Sequence, residues 1–137
     1  MTGQTDRITS GFHHIALRAS NFDASVRFYT QALGFVPRIT WGEGDKRAIM
    51  LDTGNGNYLE IFAGGQAGPR PEGAWLHLAL RTSQCDAALE RARQAGAQVT
   101  MESKSLDIPS TPPTPVRIAF CQGPDGEIIE FFQNSLT

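Results

Sequence analysis

Four residues in this 137-residue chain have the types and spacing to do metal chemistry: His14, Glu60, His77 and Glu130. Neutral imidazoles and carboxylates are the usual ligands of borderline and harder divalent cations. The two glutamates stand out because each interrupts an apolar run, Tyr58-Leu59-Glu60-Ile61-Phe62 and Ile128-Ile129-Glu130-Phe131-Phe132. A carboxylate buried without a partner costs several kcal/mol, on the order of 3 or more. A bound cation, an arginine or exposure on a strand edge would each offset that cost. Taken singly, a glutamate in a strand is more often solvent-facing and a histidine more often a packed side chain.

An internal repeat joins the four. His14-Ile15-Ala16-Leu17-Arg18-Ala19-Ser20 recurs, 63 positions on, as His77-Leu78-Ala79-Leu80-Arg81-Thr82-Ser83, and Asp23-Ala24 falls on Asp86-Ala87. Later in each half the offset is 70, with Arg47 on Arg117, Gly56 on Gly126, Glu60 on Glu130 and Phe62 on Phe132. The second copy therefore carries a net insertion of seven residues (63 against 70), expected as a longer loop around Pro109, Pro112, Pro113 and Pro115. Both histidines occupy one repeat position and both glutamates another. A two-fold arrangement of the copies would bring two imidazoles and two carboxylates around its axis, a mixed N/O set suited to Ni, Zn, Co, Mn or Fe.

The elements that must position these groups follow from periodicity. Residues 12–18 alternate and read as a strand. Ser20-Asn21 offers N-cap chemistry, and Phe22, Val26, Tyr29 and Leu33 recur at helical spacing up to Gly34. Strands are expected over about 36–41, 46–52 and 57–62, the last two joined at Asn55-Gly56, a hairpin dipeptide. The second copy repeats this with a helix over about 84–95 and strands over about 98–102, 116–121 and 127–133, and Asp125-Gly126 as its hairpin turn. The fold class is α+β: two tandem βαβββ modules, about 12–64 and 75–133, forming a cupped mixed β-sheet cleft with helices outside, within a single domain spanning 1–137. Alternation puts His14, Ala16 and Arg18 on one face, and His77, Ala79 and Arg81 on one face of the repeat. Arg18 is a candidate substrate contact, Arg81 a weaker one. His13 falls on the opposite face from His14 and reads as structural or surface.

Composition narrows the function classes. A net charge of −2 with scattered arginines gives no footprint for nucleic acid or an anionic membrane. No apolar run approaches the roughly 18 residues of a membrane span, and residues 1–10 lack the apolar stretch of a signal peptide. Cys85 and Cys121 form no disulfide framework and read as buried thiols in a reducing, cytoplasmic setting.

These residues resemble the vicinal oxygen chelate superfamily, which includes glyoxalase I, methylmalonyl-CoA epimerase, extradiol dioxygenases and fosfomycin- and bleomycin-resistance proteins. The resemblance rests on His14-Ile15-Ala16-Leu17, Phe28-Tyr29 with Leu33-Gly34-Phe35, Tyr58-Leu59-Glu60, His77-Leu78-Ala79-Leu80, and Gly123-Pro124-Asp125-Gly126 with Ile129-Glu130. The His, Glu, His, Glu set is similar to that of bacterial-type glyoxalase I, and Arg18 matches the position that contacts the glutathione part of its substrate. The resemblance implies a metal-dependent lyase or isomerase with enediolate chemistry on a small α-hydroxycarbonyl or thiol adduct. Glu130, or Glu60 from the other side, would move the proton. It also implies a small-molecule substrate and a homodimer, with the site within one chain or between two. An acyl-CoA epimerase, an Fe(II) ring-cleaving dioxygenase and a non-catalytic antibiotic-sequestering protein are the alternatives. One position departs from the glyoxalase I pattern: Gly64 stands where an Asn contacts glutathione.

Overall fold

A computed structural model describes residues 12–68 and 75–137. The polar N-terminal stretch discussed above lies outside them. The first module runs β1 (His14–Arg18), α1 (Phe22–Arg27), β2 (Val36–Trp41), β3 (Ala48–Gly54) and β4 (Asn57–Phe62). The second runs β5 (Leu78–Arg81), α2 (Cys85–Gln94), β6 (Gln98–Ile108), β7 (Thr114–Gln122) and β8 (Ile128–Gln133). Each module makes one four-stranded mixed sheet, in the orders β1-β4-β3-β2 and β5-β8-β7-β6. In both, the first strand pairs parallel with the last, and the remaining neighbours are antiparallel. The helix between first and second strands supplies the crossover that a parallel pair requires.

Helix α1 starts where the Asn21 side chain accepts from the Ala24 N–H, 3.0 Å away, with Asp23 in the first turn. It passes into a π-helical turn over Phe28–Ala32. That turn explains an irregularity in the repeat. Helix stops Gly34 and Gly96 are 62 apart, whereas His14 and His77 are 63 apart. The first helix thus carries one residue more, which a π turn accommodates.

The insertion in the second copy is therefore eight residues after the helix (62 against 70), and most of it is strand rather than loop. β6 has 11 residues where β2 has 6. β6 and β7 pair out to Ile108 and Thr114, and Pro115 lies inside β7 opposite Asp107. Pairing of β7 with β8 begins only at Arg117. At that protruding end Pro115 needs no donor on its outer side, so the strand tolerates it. Pro109, Pro112 and Pro113 remain in the tip, where the Ser110 hydroxyl donates to the Pro112 carbonyl at 2.9 Å.

The core gathers on the helix side of both sheets. Tyr29, Leu51, Leu59 and Ile61 from the first module and Leu89, Cys121, Ile129 and Phe131 from the second belong to one buried cluster. Both cysteines are free and buried, as their isolation in sequence suggests. The opposite sheet faces are far less covered: every residue of β2 is exposed, including Val36, Ile39 and Trp41. No helix among the described residues is long and apolar enough to cross a membrane.

Candidate metal site

Period-2 alternation does the positioning. On β4, Leu59 and Ile61 enter the core, so Glu60 turns to the other face. On β8, Ile129 and Phe131 do the same for Glu130. Glu60 sits in register between Ala16 of β1 and Met50 of β3. Glu130 sits between Ala79 of β5 and Phe120 of β7. The small alanine beside each carboxylate leaves room above it for a histidine, His14 at the start of β1 and His77 just before β5. His14 Nε2 lies 3.5 Å from Glu60 Oε1, and His77 Nε2 lies 3.0 Å from Glu130 Oε1. The glutamates are nearly covered, at 9% and 7% exposure, while the histidines are half-open. Each module therefore presents the same device: a sunken carboxylate with an imidazole over it, facing outward. Burial pushes the Glu130 carboxyl above the ordinary range, and the adjacent His77 pulls it part of the way back.

Within one chain the device stays in two halves. Among the described residues, no three His, Cys, Asp or Glu side chains come together as a metal-binding group. The sequence places the two histidines at one repeat position and the two glutamates at another, and the structure joins them pairwise, His14 with Glu60 and His77 with Glu130.

Arg18, on the His14 face of β1, donates from Nη1 to the Ala63 carbonyl at 2.9 Å, and its guanidinium lies 5.5 Å from the Phe62 ring centroid. Gly64 adjoins it with φ of +82°. A Cβ at that position would come within 2.9 Å of the Asp45 carbonyl oxygen and 3.8 Å of Arg18 Nη1. The 3-10 turn over Gly44–Lys46 thus approaches so closely that a side chain here would collide with backbone. Arg81 ends β5, is exposed, and borders a cavity of about 610 Å³ that also touches the β3–β4 hairpin and α2.

His13 is exposed, as the sequence suggests, but its ring lies beside that of His14 rather than on the opposite face. It immediately precedes β1, as His77 immediately precedes β5. Its Nδ1 lies 3.0 Å from His14 Nδ1, and its ring stacks on Tyr58 with centroids 5.1 Å apart. The sequence signal for this was the His-His doublet in only one of the two copies: the second has Leu76 before His77.

Two sheets of this topology with paired His and Glu on equivalent strands define a vicinal oxygen chelate architecture. Residues 11–131 match the family model described as the Glyoxalase/Bleomycin resistance protein/Dioxygenase superfamily, and the chain belongs to that superfamily. It is 31% identical over 124 residues to the uncharacterized protein YwbC of Bacillus subtilis (strain 168), covering 88% of this chain and 94% of that one. It is 29% identical over 128 residues to a probable lactoylglutathione lyase of Vibrio cholerae, covering 88% of each. Among solved structures, the trypanothione-dependent glyoxalase I of Leishmania major shares the fold with a TM-score of 0.70 at 22% identity, covering 91% of this chain and 87% of that one.

Proposed function

We propose that two copies of this chain assemble so that the first-module pair of one copy meets the second-module pair of the other, and that the combined site carries glyoxalase I-type lyase or isomerase chemistry. The observation behind this reading is the duplicated half-site: a sunken glutamate under an outward imidazole, in the same register of both modules. Neither half alone offers the three or four ligands that a transition metal takes from protein. The donor set of His14, Glu60, His77 and Glu130 fits Ni, Zn, Co, Mn or Fe, and the thiols of Cys85 and Cys121 are withdrawn into the core. The broad uncovered sheet faces supply the surface for a homodimer.

When bound, the cation supplies Lewis-acid stabilisation of negative charge developing on substrate oxygens. The remaining work belongs to the protein. Glu130 takes the proton from the substrate carbon and returns it to the neighbouring one. Glu60, its repeat equivalent, would do the same from the opposite side. Arg18 holds an anionic group of the substrate at the edge of the sheet.

Support for the lyase reading comes from the lactoylglutathione lyase name of the Vibrio relative. Gly64 favours a second reading of the substrate. The close backbone at Asp45 leaves no side chain to share a glutathione tail with Arg18, which suits a compact α-hydroxycarbonyl or an acyl thioester. The test is metal analysis of the purified protein, then turnover of the methylglyoxal–glutathione hemithioacetal and of 2-methyl acyl-CoA epimers with Ni, Zn and Co. Turnover of one substrate that falls about 10²-fold or more in Glu130→Gln supports the proposal. No turnover of either, with metal bound, would leave a binding protein instead.

A further inference from the structure

His13 is unused by the chemistry above, and the geometry points to it as a positioning residue for His14. This rests on His14 serving as a ligand through Nε2. We propose that His13 Nδ1 accepts the Nδ1–H of His14 whenever His14 Nε2 faces a cation, fixing the ring and its tautomer.

Three observations carry this. The two Nδ1 atoms stand 3.0 Å apart, a full hydrogen-bond distance that requires one nitrogen to hold the proton and the other to accept it. The His14 Nε2, on the far side of the ring, faces Glu60 at 3.5 Å, so it is Nε2 that meets any ion Glu60 also binds. The His13 ring is itself held: it stacks on Tyr58 at 5.1 Å, and its backbone carbonyl accepts the Tyr58 N–H at 2.8 Å. A nitrogen that meets a cation must present a lone pair, so the proton of a neutral imidazole then resides on Nδ1. In metal sites that second N–H is almost always given to a fixed acceptor, which orients the ring and raises its basicity. His13 supplies that acceptor from the adjacent residue. With no cation, Nε2–H turns toward Glu60, and His13 donates to His14 Nδ1 instead. The imidazole at position 13 can play either part because its own tautomer can change, whereas a backbone carbonyl could only accept.

The second half-site lacks this support. Leu76 occupies the equivalent place, and His77 instead meets the Phe120 ring edge-on at 5.5 Å. The two halves of the duplicated site thus differ in how their imidazoles are held.

The test uses His13→Phe, which keeps a ring to stack on Tyr58 but removes the acceptor, and His13→Asn, whose Oδ1 takes the place of Nδ1. Zn(II) affinity is measured by chelator competition, and the His14 tautomer by ¹⁵N NMR of the labelled protein with and without Zn(II). Expected are a 10- to 100-fold weaker Zn(II) affinity in His13→Phe, within the range of about 10–100-fold seen for such supporting contacts. Partial recovery is expected in His13→Asn. In the wild type, Zn(II) should move the His14 proton from Nε2 to Nδ1. Equal affinity in wild type and His13→Phe would overturn the inference while leaving the metal reading intact. If no protein binds Zn(II), the metal reading falls, and a His14 Nε2–H signal that is the same in wild type and His13→Phe would remove the coupling as well.

Discussion

The Tyr29 hydroxyl of the first module donates a 2.6 Å hydrogen bond to Glu127 Oε2 of the second. Around it the Asp125 N–H donates to Glu127 Oε1 at 2.8 Å, and the Ser20 N–H donates to Asp125 Oδ1 at 2.9 Å. These bonds fasten the first helix to the second hairpin turn. The repeat does not reproduce them on the other side. At the offsets of 63 and 70, Ser25, whose hydroxyl donates to Asp125 Oδ2 at 3.4 Å, becomes Ala88, Tyr29 becomes Ala92, Asp125 becomes Asn55 and Glu127 becomes Asn57. There, Ala88, Asn55 and Asn57 border the cavity of about 610 Å³. One junction between the modules is locked by a polar cluster, and its counterpart is open.

Tyr29→Phe removes the donor and leaves Glu127 Oε2 with no replacement at a part-buried position. Hydrogen bonds to charged groups contribute about 1.5–3 kcal/mol. Urea unfolding should show a loss in that range. The double variant with Glu127→Gln should lose less than the two single variants together. Strict additivity would mean that the bond contributes nothing.

Gly64 and Gly34 both have positive φ, +82° and +79°, but a Cβ at Gly34 meets nothing within 4 Å. Asn tolerates the left-handed region better than most residues. Gly34→Asn should therefore change the melting temperature little. Gly64→Asn should lower it, by about 1–3 kcal/mol in stability, because the Asp45 backbone must move. It should not improve handling of a glutathione adduct. Equal melting temperatures for the two variants would contradict the close approach.

Burial pushes the Cys121 thiol up from 9.0 to about 11, with the Glu127 charge adding to the effect. The folded state keeps the proton that the unfolded chain gives up, so stability is intact below about pH 9 and falls as pH rises toward 11. The loss approaches roughly 2 kcal/mol at the top of that window. Tyr29, raised well above its ordinary value by burial and by Glu127, adds to the decline above pH 10. Denaturation midpoints measured from pH 8 to 11 should fall more shallowly in Cys121→Ala than in wild type.

The half-site arrangement makes a mixing experiment decisive. His14→Ala and His77→Ala should each bind metal poorly. If each site takes one pair from each copy, heterodimers formed by unfolding and refolding the two together regain one intact site. In a 1:1 mixture that restores about one site in four. No regained metal binding on mixing would place the pairs in an assembly of another kind.

The sequence by itself determined the module and its duplication. Alternation fixed which side of each strand faces the core, so Glu60 and Glu130 could be placed on the outward face from Leu59, Ile61, Ile129 and Phe131 alone. The turn dipeptides and helix stops set the element order, because their backbone requirements are local. Only the tertiary structure decided which ligand candidates share space. Pairing of β1 with β4 and β5 with β8 creates two separate His–Glu pairs, and strand register is a property of two segments meeting that neither encodes alone. The same holds for the extended β6–β7 hairpin, where pairing extends past residues that read as loop. It holds too for His13, whose ring direction is set by Tyr58 rather than by its own strand.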